Sequence, residues 1–192
     1  MASFLGQNSL PRGIRNNNPG NIKRGSSAWK GKIPFIQSTD TTFEQFTTVE
    51  YGIRAMMVLV SNYYNKNGLK TVSAIIKKWA PSGAENPHQT NYINHVVKKI
   101  PIKGLTATTP INVNDKYILC ELVLAMCEFE NGISALHGSL TDKNFLDGYD
   151  LFKGNTTANE LASGIATPQS GKIGSILTIV GLVLLTVIAF KS

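Results

Sequence analysis

No acidic residue occurs before Asp40, although Arg12, Arg15, Lys23, Arg24, Lys30 and Lys32 all precede it. The chain carries a net charge of +7 over 192 residues. A cationic stretch of this kind suits an anionic polymer: nucleic acid, anionic lipid or cell wall. No helix-turn-helix, zinc-finger or RNP-like pattern accompanies it, so no specific nucleic-acid partner is expected. Cysteine is scarce as well. Cys120 and Cys127 lie seven apart in a segment of helical periodicity, which sets their Cα atoms about 10 Å apart, beyond disulfide reach. They read as two thiols packed as small apolar residues, in keeping with assembly in a reducing compartment. Histidine is also sparse: His88, His95 and His137 lack metal-ligand spacing and read as surface or helix-face residues. No HExxH, Cys–His pair or GxSxG is present, and neither a metal nor a cofactor is expected. The opening MASFLGQNSLPRG has no long apolar run and is not a signal peptide.

Charge is missing altogether from residues 173–190. Only Gly174, Ser175, Thr178, Gly181 and Thr186 interrupt the aliphatic run, and Lys172 and Lys191 bracket it. Eighteen helical residues rise about 27 Å, close to the hydrocarbon thickness of a thin bilayer. A buried core helix would keep a polar face, and this run is apolar all round. It reads as a transmembrane helix, with one lysine on each side and hence no orientation signal. Residues 153–172 are rich in small and polar residues and read as a flexible linker. The expected organisation is an N-terminal arm (1–12), one domain (13–152), the linker (153–172) and the membrane helix (173–190).

Within the domain, Gly, Pro and Asn crowd residues 13–33 as in turns. Residues 33–37 and 42–47 are short β candidates. Thr47 and Glu50 fit a capping box opening a helix that runs to about Asn67, with Ile53, Met56, Met57, Val60, Tyr63 and Tyr64 on one face. Thr71 can cap a second helix ending at Trp79. Asn86-Pro87 reads as the start of a third, carrying Tyr92, Ile93, Val96 and Val97. Asp115 begins a fourth, running to Asn131-Gly132. The fold class is mainly α, with a small β element.

The fourth helix raises a question, because Glu128 and Glu130 both lie near its end. Ile118, Leu122, Met126 and Glu130 are spaced by four and form one ridge. Glu130 therefore extends the apolar face, where desolvation raises a carboxyl pKa, as a general acid working near neutral pH requires. Glu128 lies one heptad from Glu121, with Lys116, Glu121 and Ala125 toward the more polar side. The simplest alternative for Glu130 is a solvated carboxylate at a fraying helix end. Glu50 is accounted for by its capping box.

The segments 13-GIRNNNPGNI-22, 29-WKG-31, 43-FEQF-46, 51-YGIRA-55, 71-TVSAIIKKWAP-81, 91-NYINHV-96 and 129-FENG-132 occur in this order. Together they resemble the phage virion-associated lytic enzymes, whose domain is lysozyme-like. The pattern also looks like a permuted relative of the bacterial autolysin glucosaminidases, in which the Asn-rich turn follows the helix that bears the catalytic Glu. Phe129 stands where the family more commonly has His, which removes one possible hydrogen-bonding partner of Glu130.

The resemblance implies cleavage of the β-1,4 bond between N-acetylmuramic acid and N-acetylglucosamine, with Glu130 as the catalytic acid. Asn17, Asn18, Asn21, Tyr51 and Tyr92 are the implied substrate contacts. Trp79 is a further candidate, although a core aromatic is the simpler reading of it. Asp40 and Glu44 are candidates for a second carboxylate, which a hydrolase needs and a lytic transglycosylase does not. With no clear second acid, the expectation leans to a transglycosylase. The implied partners are peptidoglycan, a lipid bilayer and capsid proteins; the implied location is the virion, anchored by the C-terminal helix, in a phage that carries a membrane. The rival expectation is a catalytically inactive structural protein whose lysozyme-like domain only binds glycan or coat subunits.

Overall fold

A computed structural model describes residues 1–83 and 88–154. The apolar run 173–190, nearly all of the linker 153–172, and the Asn86-Pro87 helix start lie outside the described residues. Seven helices are described: α1 (Arg12–Arg15), α2 (Val49–Asn65), α3 (Val72–Trp79), α4 (Gln89–Lys99), α5 (Lys116–Asn131), α6 (Ile133–His137) and α7 (Asp142–Lys153). A single 3-10 turn, Phe35–Gln37, interrupts the long connection between α1 and α2. No helix among the described residues is long and apolar enough to cross a membrane.

Local chemistry sets several of these boundaries. The Thr71 hydroxyl accepts the Ala74 N–H at 3.2 Å and opens α3. The Asp115 carboxylate accepts the Tyr117 and Ile118 N–H groups at 2.8 and 3.1 Å and opens α5, as an N-cap should. The expected capping box on α2 does not form. Its N-cap is Thr48 rather than Thr47, and Glu50 is occupied from elsewhere. The Ala2 N–H reaches both Glu50 oxygens, at 2.9 and 3.1 Å, and Asn144 Nδ2 on α7 donates to Oε1 at 2.8 Å. A buried carboxylate with these tertiary donors has no need of the local cap.

The small β element is likewise not realised as strands. Among the described residues the N-terminal third holds only two isolated antiparallel bridges, Lys23 with Phe43 and Lys32 with Phe46. Buried side-chain amides take the backbone groups that a ladder would use. Asn17 Nδ2 donates to the Phe46 carbonyl at 2.9 Å, and Asn18 Nδ2 donates to the Glu44 carbonyl at 2.9 Å. Asp40 Oδ1 accepts the Thr42 and Phe43 N–H groups, both at 2.9 Å. Short polar side chains that offer the backbone such partners compete with regular structure.

Helix α5 runs through the middle of the domain and packs against α1, α2, α4, α6 and α7. Leu119, Leu122, Val123 and Met126 meet Ile53, Met56 and Met57 of α2 in a fully buried core. Helices α6 and α7 are not identified by the sequence pattern above, yet α7 forms the most extensive helix pair of the fold, against α2. Gly148 permits that approach: a Cβ there would lie 2.6 Å from Ile53 Cγ2. Cys120 and Cys127 are both free and buried.

Candidate active site

Helix α5 delivers Glu130 and Asn131 in its last turn, before Gly132 turns the chain at φ 83°. Asn131 Nδ2 donates to the Pro19 carbonyl at 2.7 Å and to Cys127 O at 2.9 Å. This clamps the Asn-rich turn onto the end of α5. Asn21, in the left-handed region at φ 50°, then reaches Glu130: its Nδ2 donates to Oε2 at 3.1 Å. Two further groups arrive from the other side. Trp79, the last residue of α3, donates its indole N–H to Oε1 at 3.2 Å, and the Tyr92 hydroxyl of α4 lies 3.2 Å from the same oxygen.

Glu130, Asn21, Trp79 and Tyr92 border a cleft of about 590 Å³. Its lining is largely apolar and aromatic, with Phe43, Tyr63, Trp79 and Phe129 around Glu130 and Lys23. Phe129 stacks on Tyr92 with ring centroids 4.1 Å apart and 17° between planes. Glu130 is half-buried. Burial pushes its carboxyl pKa up, and the hydrogen bonds from Asn21, Trp79 and Tyr92 hold back part of that rise. The group is thereby kept closer to a protonatable state than a solvated glutamate. Tyr92 is raised well above the ordinary phenol value by its burial, and next by the charge of Glu130.

Glu128, on the more polar side of α5, is nonetheless buried. It is 3% exposed and sits among three cationic or protonatable groups: His137 Nε2 at 2.7 Å, His95 Nε2 at 3.0 Å and Lys99 Nζ at 3.0 Å. Burial alone would raise its pKa, but the hydrogen bonds from His137 and Lys99 outweigh it and lower the value. The heptad position of Glu128 pointed correctly away from the apolar ridge. What it could not reveal is that α4 and α6 cover that side. His95 and His137 accordingly belong to a hydrogen-bonded cluster around Glu128 rather than to open surface.

The other expected site residues divide cleanly. Asn21 and Tyr92 meet at Glu130, and Trp79 joins them rather than serving the core alone. Asn17 and Asn18 are buried and spent on backbone: Asn17 Oδ1 accepts the Phe4 N–H at 2.8 Å, and Asn18 Oδ1 accepts the Ile22 N–H at 3.0 Å. Tyr51 is buried beneath Gly31, whose Cβ position its ring would occupy. Asp40 makes a two-point pair with Arg12 at 2.7 and 2.8 Å and accepts from Asn16 Nδ2 at 2.7 Å. The Arg12 guanidinium, chief among its partners, holds the Asp40 carboxyl far below the usual range. Glu44 pairs with Lys32 at 2.7 Å and accepts the Gly25 N–H at 3.0 Å. Neither carboxylate lines the cleft. Asn131, Phe43 and Tyr63 belong to the site but are absent from the sequence expectations; only the adjacency of Asn131 to Glu130 hinted at one of them. Among the described residues, no group of three or more His, Cys, Asp or Glu is arranged to hold a metal ion.

Fold and cleft together define a mainly helical protein with one perturbed carboxyl group at the floor of an aromatic-lined cleft. No protein-family model matches the sequence. Over 128 residues the chain is 38% identical to Protein P5 of Pseudoalteromonas phage PM2, a match that covers 65% of this chain and 74% of that protein. The chain belongs to the family of that phage protein.

Proposed function

We propose that this protein is a virion-associated enzyme that cleaves the β-1,4 bond between N-acetylmuramic acid and N-acetylglucosamine in peptidoglycan, acting as a lytic transglycosylase. The observation that carries the reading is the environment of Glu130: a carboxyl group with raised pKa at a cleft, held by Asn21, Trp79 and Tyr92. A carboxyl so placed can give up a proton and take it back near neutral pH. Glu130 protonates the glycosidic oxygen, and the C1–O bond of the muramic sugar breaks. The 6-hydroxyl of that sugar then attacks C1, and Glu130 accepts the hydroxyl proton. The product is a 1,6-anhydro end, with no water consumed. Such a sequence needs one carboxyl group, and no second carboxylate among the described residues lines the cleft.

Membership in a phage protein family supports placement in the virion. The uncharged run 173–190 supports anchoring in a membrane, either the virion's own or the host's. Local opening of the wall during genome entry or progeny release follows from that placement.

A second reading has its own observation. Three donors on one carboxylate also describe a purely structural glutamate, and such a domain could bind glycan or coat subunits without cleaving anything. A zymogram on purified cell wall separates the two. Lysis by the native protein and none by Glu130→Gln upholds the enzyme, and absence of lysis by the native protein upholds the structural reading. Mass spectrometry of the digest then identifies the reaction, since anhydro ends are lighter by one water than the reducing ends a hydrolase leaves.

A further inference from the structure

The two most outward-facing apolar residues adjacent in the chain are Phe35, 68% exposed, and Ile36, 93% exposed. They form the tip of the 3-10 turn between α1 and α2. The turn is braced rather than loose. The Pro34 carbonyl accepts the Gln37 and Ser38 N–H groups at 2.9 and 3.1 Å, and Ile33 N–H donates to the Gln45 carbonyl at 2.8 Å. The Ser38 hydroxyl and Thr39 N–H both bond to Gln45 Oε1, at 3.0 and 2.9 Å. Presenting two large apolar side chains to water on a fixed turn is costly for a tip without a partner.

The surroundings of the tip specify what that partner is. The Arg24 guanidinium lies over the Phe35 ring, 3.2 Å from its centroid, and donates to the Phe35 carbonyl at 3.2 Å. Arg24 N–H is itself bonded to Thr42 O at 2.9 Å, so the cation is fixed beside the apolar pair. Lys23 precedes it, and both nearby acids are neutralised, Asp40 by Arg12 and Glu44 by Lys32. An aliphatic residue at the very apex does not suit the flat face of a sugar, for which an aromatic is the fitting surface. An apolar wedge with a cation at its base matches the boundary of an anionic bilayer, where acyl chains receive the wedge and phosphates face the cation.

We propose that the Phe35–Ile36 turn is a docking element for an anionic lipid surface, with Phe35 and Ile36 entering the headgroup–acyl boundary and Arg24 meeting a lipid phosphate. This docking does not depend on the enzymatic reading. Because Lys23 and Phe43 line the cleft and are bridged to each other, and Lys23 directly precedes Arg24, docking sets one rim of the cleft against a membrane.

The test uses the full chain with Ile36→Cys labelled by an environment-sensitive fluorophore; Cys120 and Cys127 are buried and leave the new thiol as the reactive one. A label at Tyr117→Cys, a position 71% exposed on α5, reports a face outside the turn. Phosphatidylcholine vesicles with and without phosphatidylglycerol are the probes. The label at position 36 reads the turn locally, whatever other part of the chain holds the protein to the vesicle. The expected result is a blue shift, and quenching by acyl-chain quenchers, at position 36 only when the anionic lipid is present, with none at position 117. Arg24→Gln in the labelled chain lowers that response about fivefold, and Phe35→Ser about tenfold. No response at 36 on anionic vesicles overturns the proposal. An equal response on neutral vesicles that Arg24→Gln leaves unchanged, or a response to purified cell wall instead of lipid, overturns it as well.

Discussion

Trp79 and Glu130 lie 51 positions apart and meet through one hydrogen bond, indole Nε1 to carboxylate Oε1 at 3.2 Å. This bond favours the ionised carboxylate. Trp79→Phe keeps most of the ring and removes the donor, so the Glu130 pKa moves further up. Activity that needs the protonated acid is then retained to higher pH, and the alkaline limb of the pH–rate profile shifts upward. An unmoved alkaline limb in wall-lysis assays would exclude Glu130 as the acid or Trp79 as its partner.

Glu130→Gln is expected to lower wall lysis by about 10²–10⁴-fold, the range for loss of a general acid. The sign of its effect on stability follows from the raised folded-state pKa. A carboxyl group raised on folding contributes stability below its unfolded pKa, and that contribution is lost as pH rises through the folded value. At neutral pH the native glutamate is therefore a liability, and the glutamine variant should melt at the same temperature or higher. Calorimetry at pH 7 checks this; a clearly lower melting temperature would count against it.

Glu128→Gln should behave in the opposite way. Its folded pKa is lowered, so its contribution is present above the unfolded carboxylate range and disappears as pH falls through the folded value. At pH 7 the substitution leaves Lys99, His95 and His137 without their common anion and is expected to cost about 1–3 kcal/mol. Urea titrations between pH 7 and pH 3 should show the native-to-variant gap closing as the solution is acidified. A gap that stays constant over that range would show that the charge of Glu128 is not what stabilises the cluster.

Gly148→Ala tests the contact between α7 and α2. The added Cβ would sit 2.6 Å from Ile53 Cγ2 and 3.0 Å from Ile53 Cβ, both within a packed core. Overpacking of this kind costs about 1–3 kcal/mol. Helix propensity pulls the other way, since Ala is favoured over Gly by about 1 kcal/mol in a helix interior. The steric cost should prevail, and thermal melts that show stabilisation would mean the two helices can part without loss.

Much of this arrangement could be read directly from residue spacing. The four-residue ridge of α5 placed Glu130 against the interior, and Thr71 and Asp115 marked helix starts that the structure reproduces. These signals are local, and each depends on residues within one or two turns. The misreadings have tertiary causes. Residues 42–47 read as a short β candidate, but Asn17, Asn18 and Asp40 supply the hydrogen bonds from outside the segment. Glu128 has a polar helical address that α4 and α6 cover. Glu50 has a cap signature that Ala2 and Asn144 override. Helix α7 was announced only by Thr141 and Asn144, the latter accepting the Thr141 N–H at 2.8 Å, a weaker signature than an acidic partner three residues on would have made.

Asn21 and Glu130 are separated by 109 positions, and Pro19 and Asn131 by 112. At a synthesis rate of about 5–20 residues per second, the second partner of each pair leaves the ribosome roughly 5–20 s after the first. Until then the Asn-rich turn has nothing to close upon. A nascent chain that ends before α5 holds Trp79 and Tyr92 but lacks the carboxyl group they bond to. The chemistry proposed for Glu130 is thus withheld from any chain that ends before α5.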